Sequence, residues 1–330
     1  MKKKVLAVLL SAAMVLSLAA CSSGGGGDDA AADDAATTEE DAGGAEGGSK
    51  DYSFQMIVKS FQSTYWQAAI QGVEQAKAEL GVSVEANGPA NESDIADQVQ
   101  MLNDAIEKKP DGIALAACDT NSVIDSLNKA LEAGIPVVCF DTGVDNAPEG
   151  SVLATVATDN VAAGAVAAEN MFPVIEAKVK AATTDAKVRI GEVNQDATAL
   201  NIQQRGQGFI DKMLELCTGA GKKVAVVGNE FYVNATEGAV AEAEAEVIIE
   251  VGVPAQTTVD LASTEAQKIM SKDDTIAIFG SNQTTAEGVI TANQTLNKLS
   301  SDPEQGIIGV GFDAGTPQKE AITNGQFIGS

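Results

Sequence analysis

The sequence predicts an α/β protein of two doubly wound parallel-sheet lobes joined by a hinge. Three observations carry that prediction. From residue 51 onward, short aliphatic runs alternate with longer amphipathic stretches, the texture of a parallel sheet covered by helices on both faces. The stretch 51–330 exceeds what one hydrophobic core usually supports, so it divides in two. The alternation also passes through a polar seam, Thr158, Asp159 and Asn160, and then begins again. The expected boundaries are 51–157 for an N-terminal lobe and 158–330 for a C-terminal lobe.

Two segments precede the lobes. Lys2, Lys3 and Lys4 stand before an apolar run at 5–18, too short to cross a bilayer but suited to the core of a secretory signal. Leu18, Ala19, Ala20 and Cys21 follow as a lipobox, and small residues at the two positions before Cys21 argue against a plain signal peptide. The pattern resembles a bacterial lipoprotein signal. That resemblance implies a signal peptide over 1–21, cleavage before Cys21, and a diacylglycerol thioether on the Cys21 thiol as a lipid anchor at the outer face of the cell membrane. Residues 22–50 are Gly, Ala, Asp, Glu, Ser, Thr and a closing Lys, with too little apolar surface to offset ordering entropy, so a disordered acidic tether is expected. Its coil would reach on the order of 30 Å. Its carboxylates read as solvated charge, because nothing fixes a loop around a calcium ion.

The first lobe opens with a strand at 54–59 and a helix at 65–80 that stops at Gly81, a natural left-handed C-cap. A strand at 82–86 and a helix at 93–108 follow, the latter ended by Pro110. A strand at 112–116, a helix at 122–133 closed by Gly134, and strands at 136–140 and 152–157 complete the lobe. In the second lobe, Asp159 is placed to cap a helix carrying residues 162–171, and the seam around Asp159 is the expected hinge. Strands are expected at 188–193, 224–227, 247–251, 275–279 and 307–311, and an Ala/Glu-rich helix at 237–246.

Charge and rare residues remove several functions. The formal net charge is −26, and loss of three lysines with the leader makes it more negative, which disfavours nucleic acid and anionic lipid surfaces as partners. The chain contains no histidine, so Ser-His-Asp and Cys-His catalysis and the commonest transition-metal ligand are absent. Neither a cofactor, a metal site nor an enzymatic activity is expected. Cys118, Cys139 and Cys217, an odd set once Cys21 is set aside, read as buried free thiols in preference to a Cys118–Cys139 bridge.

Ligands of open parallel sheets lie beyond the carboxyl ends of the strands. Asp141, Asn282 and Asp313 each follow a strand closely. Any one of them could simply cap the next helix, but three together point to a polar ligand in a cleft. The chain has one Trp and three Tyr, yet Phe61, Tyr65 and Trp66 crowd just past the first strand. Rings at a cleft rim stack on the C–H face of a sugar while carboxylates and amides take its hydroxyls; alternatively such rings pack on the sheet.

The run 60–81, the strand exit Val137, Val138, Cys139, Phe140 and Asp141, the seam Ala157 to Asn160, Arg205, Gly206, Gln207, Gly208 and Phe209, and Gly309 to Asp313 occur in an order that resembles the ribose/galactose-type solute-binding proteins of ABC transporters. The resemblance spans 51–330. It implies a type I periplasmic-binding fold, capture of a monosaccharide between the lobes, and delivery to a permease and its ATPase by a monomer. Tyr65 and Trp66 fall on its ring-stacking positions, and Asp141, Arg205, Asn282 and Asp313 on its hydroxyl-binding ones. Ser63 and Thr142 stand where the ribose-type pattern has Asn and Arg, so the ligand is not ribose by default. The segment 228–260, with Phe231 and Tyr232, is extra relative to that pattern. In the family the segment matching 325–330 is the last crossing toward the first lobe and more chain follows it, so a continuation past Ser330 is expected. Three rival readings share parts of the pattern. Gly309, Gly311 and Ala314 fit a G-x-G-x-x-A dinucleotide fingerprint but lack the acidic residue some twenty positions on. A transcription regulator would need a DNA-binding domain where the leader and tether stand. A lipoprotein sensor of sugars or nucleosides, signalling to a membrane receptor, shares every feature of the transport reading.

Overall fold

A computed structural model describes residues 51–330. The lipobox with Cys21 and the 22–50 tether lie outside the described residues. The first half runs β1 (Ser53–Ile57), α1 (Thr64–Leu80), β2 (Ser83–Asn87), α2 (Ile95–Glu107), β3 (Gly112–Leu115), α3 (Ile124–Glu132), β4 (Val137–Phe140) and β5 (Val152–Val156). Its five strands form one parallel sheet in the order β2-β1-β3-β4-β5. Side-chain alternation along each strand sends neighbours to opposite layers. Ile57, Ile113 and Leu115 pack with Leu102, Ile106 and Leu127 of α2 and α3, while Met56, Val58 and Ala116 pack with Trp66, Ile70 and Val73 of α1.

The second half runs α4 (Asn160–Ala181), β6 (Val188–Val193), α5 (Leu200–Gly219), β7 (Val224–Gly228), α6 (Glu230–Ala235), β8 (Val247–Gly252), α7 (Val259–Met270), β9 (Thr275–Gly280), α8 (Gln283–Leu296), β10 (Ile308–Val310), α9 (Thr316–Thr323) and β11 (Phe327–Gly329). These strands form a second parallel sheet, β11-β10-β9-β6-β8-β7. One face packs on α4 and α5 through Ile190, Phe279, Ile175, Phe209 and Met213, with Phe209 and Phe279 stacked at 4.6 Å. The other packs on α7, α8 and α9 through Val193, Ile278, Ile269, Val289 and Ala321. Helices α4 and α5 touch backbone to backbone. A Cβ on Gly164 would lie 2.0 Å from the Arg205 carbonyl, and one on Gly208 2.3 Å from the Val161 carbonyl, which accounts for the small residues of the Arg205–Phe209 run.

The expected two-lobe α/β class is therefore observed, and most expected elements fall within two residues of their observed bounds. Asp159 caps α4 as foreseen, accepting from the Ala162 N–H at 3.1 Å. Two expected elements need correction, and the expected free cysteines are observed. The Ala/Glu-rich 237–246 stretch is not an α-helix: only Glu242–Glu244 form a 3-10 turn. Gly238 there has φ +81°, and the backbone instead bonds the second sheet, Val240 N–H to the Val224 carbonyl and Glu246 N–H to that of Lys223. The run at 325–330, expected as a crossing toward the first lobe, places β11 as the edge strand of the second sheet beside β10. The glycines of the dinucleotide-like run serve that pairing: a Cβ on Gly309 would meet the Phe327 ring at 2.5 Å, and one on Gly311 the Ser330 hydroxyl at 2.6 Å. Finally, Cys118, Cys139 and Cys217 are buried free thiols, and burial raises the pKa of Cys139 to about 11 and of Cys217 to about 12.

Candidate functional site

The carboxyl ends of the two sheets face one narrow hollow, with a cavity volume of about 30 Å³. Ser63, Tyr65, Trp66, Asp141, Arg205, Asn282 and Asp313 all line it. Thr142 does not: it is fully buried, and its hydroxyl donates to Asp141 Oδ2 at 2.9 Å, so it orients that carboxylate from behind. Phe61 packs into the α1 side of the first core. Asp159 lies on the chain passing between the sheets and is not among the residues lining the hollow.

The N-lobe wall is built around a buried cation. Lys59, two residues beyond β1, is 1% exposed. Its ammonium lies 3.2 Å from Asp141 Oδ2 and 4.0 Å from Glu92 Oε2, and donates to Asn201 Oδ1 at 3.0 Å. Burial pulls its pKa down, but the carboxylates of Asp141, Glu92 and Asp196 outweigh that and hold it above the ordinary value. Asp141 also accepts from the Tyr65 hydroxyl at 3.0 Å and from Asn201 Nδ2 at 3.1 Å. Burial alone would raise this carboxyl; Lys59 and the hydrogen bonds from Thr142, Lys59 and Tyr65 hold it below the ordinary range. Trp66 is 2% exposed, meets Tyr65 edge-on at 5.0 Å and Phe140 at 6.1 Å, and donates from Nε1 to Glu92 Oε1 at 2.8 Å. Trp66 is thus core and wall at once.

The C-lobe wall is mostly amide. Arg205 donates from Nη1 to the Ser281 carbonyl at 2.9 Å and from Nη2 to Asn160 Oδ1 at 2.7 Å, and its guanidinium sits 3.7 Å over the Phe312 ring. Its Nε is buried with no hydrogen-bond partner. Asn282 does two jobs. Its Oδ1 caps α8 in a capping box with Thr285, and its Nδ2 donates to Gln195 Oε1 at 2.6 Å. Asp313 Oδ2 accepts from the Gln283 N–H at 2.9 Å; burial raises its carboxyl despite the opposing charge of Arg205.

One backbone feature relates the walls. Asp141 has φ +60° and Asp313 φ +69°, the left-handed region that costs a non-glycine residue about 1–3 kcal/mol and that clusters at functional sites. Each stands just past a strand of its own sheet, and both line the hollow. Polar contacts cross the gap between lobes: Lys59 to Asn201, Gln195 Nε2 to Glu92 Oε2 at 2.8 Å, Gln283 Nε2 to Thr64 Oγ1 at 2.6 Å, and Ser93 N–H to Thr257 Oγ1 at 3.2 Å.

Sequence reasoning missed Lys59, Glu92, Asn201 and Gln283, all of which line the hollow. Lys59 is hidden because the expected first strand, 54–59, runs through it, whereas the observed β1 ends at Ile57. Glu92 and Asn201 sit in a loop and on a helix start with no strand exit to mark them.

Two parallel-sheet lobes with a polar hollow at their facing carboxyl ends define a solute-binding architecture, the type I periplasmic-binding fold. A family model described as periplasmic binding protein domain matches residues 54–330, and the chain belongs to that family. Among curated proteins it is similar to the D-allose-binding periplasmic protein of Escherichia coli, 31% identical over 116 residues, 34% of this chain and 37% of that protein. The matched region thus spans little more than a third of that relative. Among solved structures it is similar to an ABC transporter solute binding protein from Agrobacterium vitis with bound D-fucose, with 28% identity, 83% of this chain and 81% of that chain covered, and a TM-score of 0.66. A Brachyspira murdochii protein described as an ABC transporter, LacI family transcriptional regulator, is also 28% identical, covering 84% and 82% with a TM-score of 0.65.

Proposed function

We propose that this chain is an extracytoplasmic solute-binding lipoprotein, anchored through Cys21, that captures a neutral monosaccharide between its lobes and presents it to an ABC transporter permease and its ATPase. The observation that carries this reading is the pair of strained aspartates, Asp141 and Asp313, facing one hollow from two separate sheets. Carboxylates on both sides suit a ligand rich in hydroxyl donors, Arg205 Nε remains to serve an acceptor oxygen, and the indole of Trp66 offers an apolar wall. The family relationship, the D-allose for which one relative is named and the D-fucose bound to another favour a sugar.

In mechanism, ligand contacts from both lobes favour the closed pair, and rotation about the segment at Asp159 opens it. A micromolar Kd corresponds to about −8 kcal/mol, attainable for a ligand of monosaccharide size. Calorimetry of the protein against pentoses, hexoses, polyols, uronic acids and nucleosides tests the reading. Saturable binding of a neutral monosaccharide supports it. Binding confined to nucleosides or acidic sugars, or no binding by any of them, refutes it.

A further inference from the structure

The segment 228–260 contributes no residue to the lining of the hollow, yet one of its side chains reaches the frame behind it. Tyr232, on α6, is fully buried in the second core. A hydroxyl in such a place costs stability unless it is hydrogen-bonded. Tyr232 Oη donates to the Asp196 carbonyl at 2.9 Å and accepts from Asn194 Nδ2. Asn194 in turn donates to the Ile202 carbonyl at 3.2 Å and accepts from the Ser281 hydroxyl. The Ser281 carbonyl is the one that receives Arg205 Nη1. One buried chain of bonds therefore joins the exits of β6 and β9 to the guanidinium of the C-lobe wall. Gly206 closes over it: a Cβ there would lie 2.3 Å from Asn194 Nδ2.

The turn pinned at Asn194, Asp196 and Ile202 carries the two side chains that cross to the N-lobe charges. Gln195 reaches Glu92, and Asn201 reaches Lys59 and Asp141. We propose that Tyr232 is a positioning residue of the cleft, whose phenol oxygen fixes the 194–202 turn so that Gln195 and Asn201 engage the opposite lobe. A phenylalanine would fill the same core volume but leave the turn free to move.

Trp66, the single tryptophan of the chain, reports on this without any added ligand, because its indole N–H and Gln195 share the Glu92 carboxylate. Acrylamide quenching of Trp66 emission is measured in the full chain. Loss of a bond that helps hold the lobes together favours opening, so Tyr232→Phe and Gln195→Ala each raise the quenching constant about twofold or more. The double variant rises no further than the larger single effect, as expected when both act through one contact. Phe231→Ala, which alters the exposed neighbour, leaves quenching unchanged. Wild-type quenching in a folded Tyr232→Phe protein, or effects that add in the double variant, overturns the proposal. Should Tyr232→Phe not fold, Ser281→Ala cuts the same chain of bonds at β9; there, raised quenching supports the proposal and unchanged quenching overturns it. No sugar enters the measurement, so its outcome is independent of the ligand proposed above.

Discussion

The two lobes bury ionisable groups in opposite ways. In the N-lobe, the half-buried Asp141 lies 3.2 Å from the buried Lys59, and its carboxyl is held below the ordinary range. In the C-lobe, Glu192 on β6 is fully buried, neither of its carboxyl oxygens has a hydrogen-bond partner, and burial drives its pKa well above the ordinary value. A neighbouring cation favours the charged form of the first acid, and burial without a partner favours the protonated form of the second. Around Glu192 the C-lobe frame is built of Asn194, Ser281 and Tyr232, and Arg205 is its cation at the hollow.

The contrast can be broken at either end. Asp141→Ala leaves Lys59 buried with the more distant Glu92 as its nearest carboxylate, and removal of one member of a buried pair costs about 3–5 kcal/mol. A urea midpoint reduced to match is expected, and a loss below about 1 kcal/mol would show the pair to be solvated. The corresponding pH dependence has a definite sign. The folded pKa of Asp141 lies below its ordinary 3.8, so its contribution is present above that value and is lost as pH falls through the folded pKa.

Glu192 runs the other way. Its folded pKa lies above its ordinary 4.5, so the unfolded chain releases a proton that the folded protein retains. Stability therefore declines as pH rises from 4.5 toward the folded value, by up to about 1.4 kcal/mol per pH unit. Glu192→Gln removes that slope, which melting curves at a series of pH values would reveal; an unchanged slope assigns the dependence to other groups. The smallest effect is expected at Asn282. Asn282→Ala removes the α8 cap, worth about 1 kcal/mol, together with the contact to Gln195. A stability loss near that figure accompanied by weaker ligand binding identifies both roles, and stability loss alone leaves only the cap.

Much of this was readable from residue order. Strand–helix alternation located both sheets because aliphatic runs buried on two faces have no other stable use, and Asp141, Asn282 and Asp313 were recognisable because acids and amides directly after such runs sit where loops converge. What could not be read depends on contacts distant in sequence. Lys59 at the end of β1 looks like an exposed strand terminus until Asp141 and Asn201, far along the chain, are brought beside it. Thr142 becomes a candidate because it stands where the ribose-type pattern has Arg, yet it is fully buried and donates to Asp141 instead. The Ala/Glu stretch at 237–246 has helical propensity, but backbone pairing with the second sheet overrides it.

The reading of the cleft rests on a ligand that touches both walls. Trp66 belongs to the N-lobe wall and Asp313 to the C-lobe wall, so the two can be played against each other in one titration. Trp66 emission is followed as D-allose or D-fucose is added to the wild-type protein and to Asp313→Ala. A saturable change whose midpoint moves about tenfold in the variant is predicted, the size expected for loss of a hydrogen bond to a half-buried carboxyl group. An identical midpoint in both proteins would mean that the ligand does not bridge the lobes.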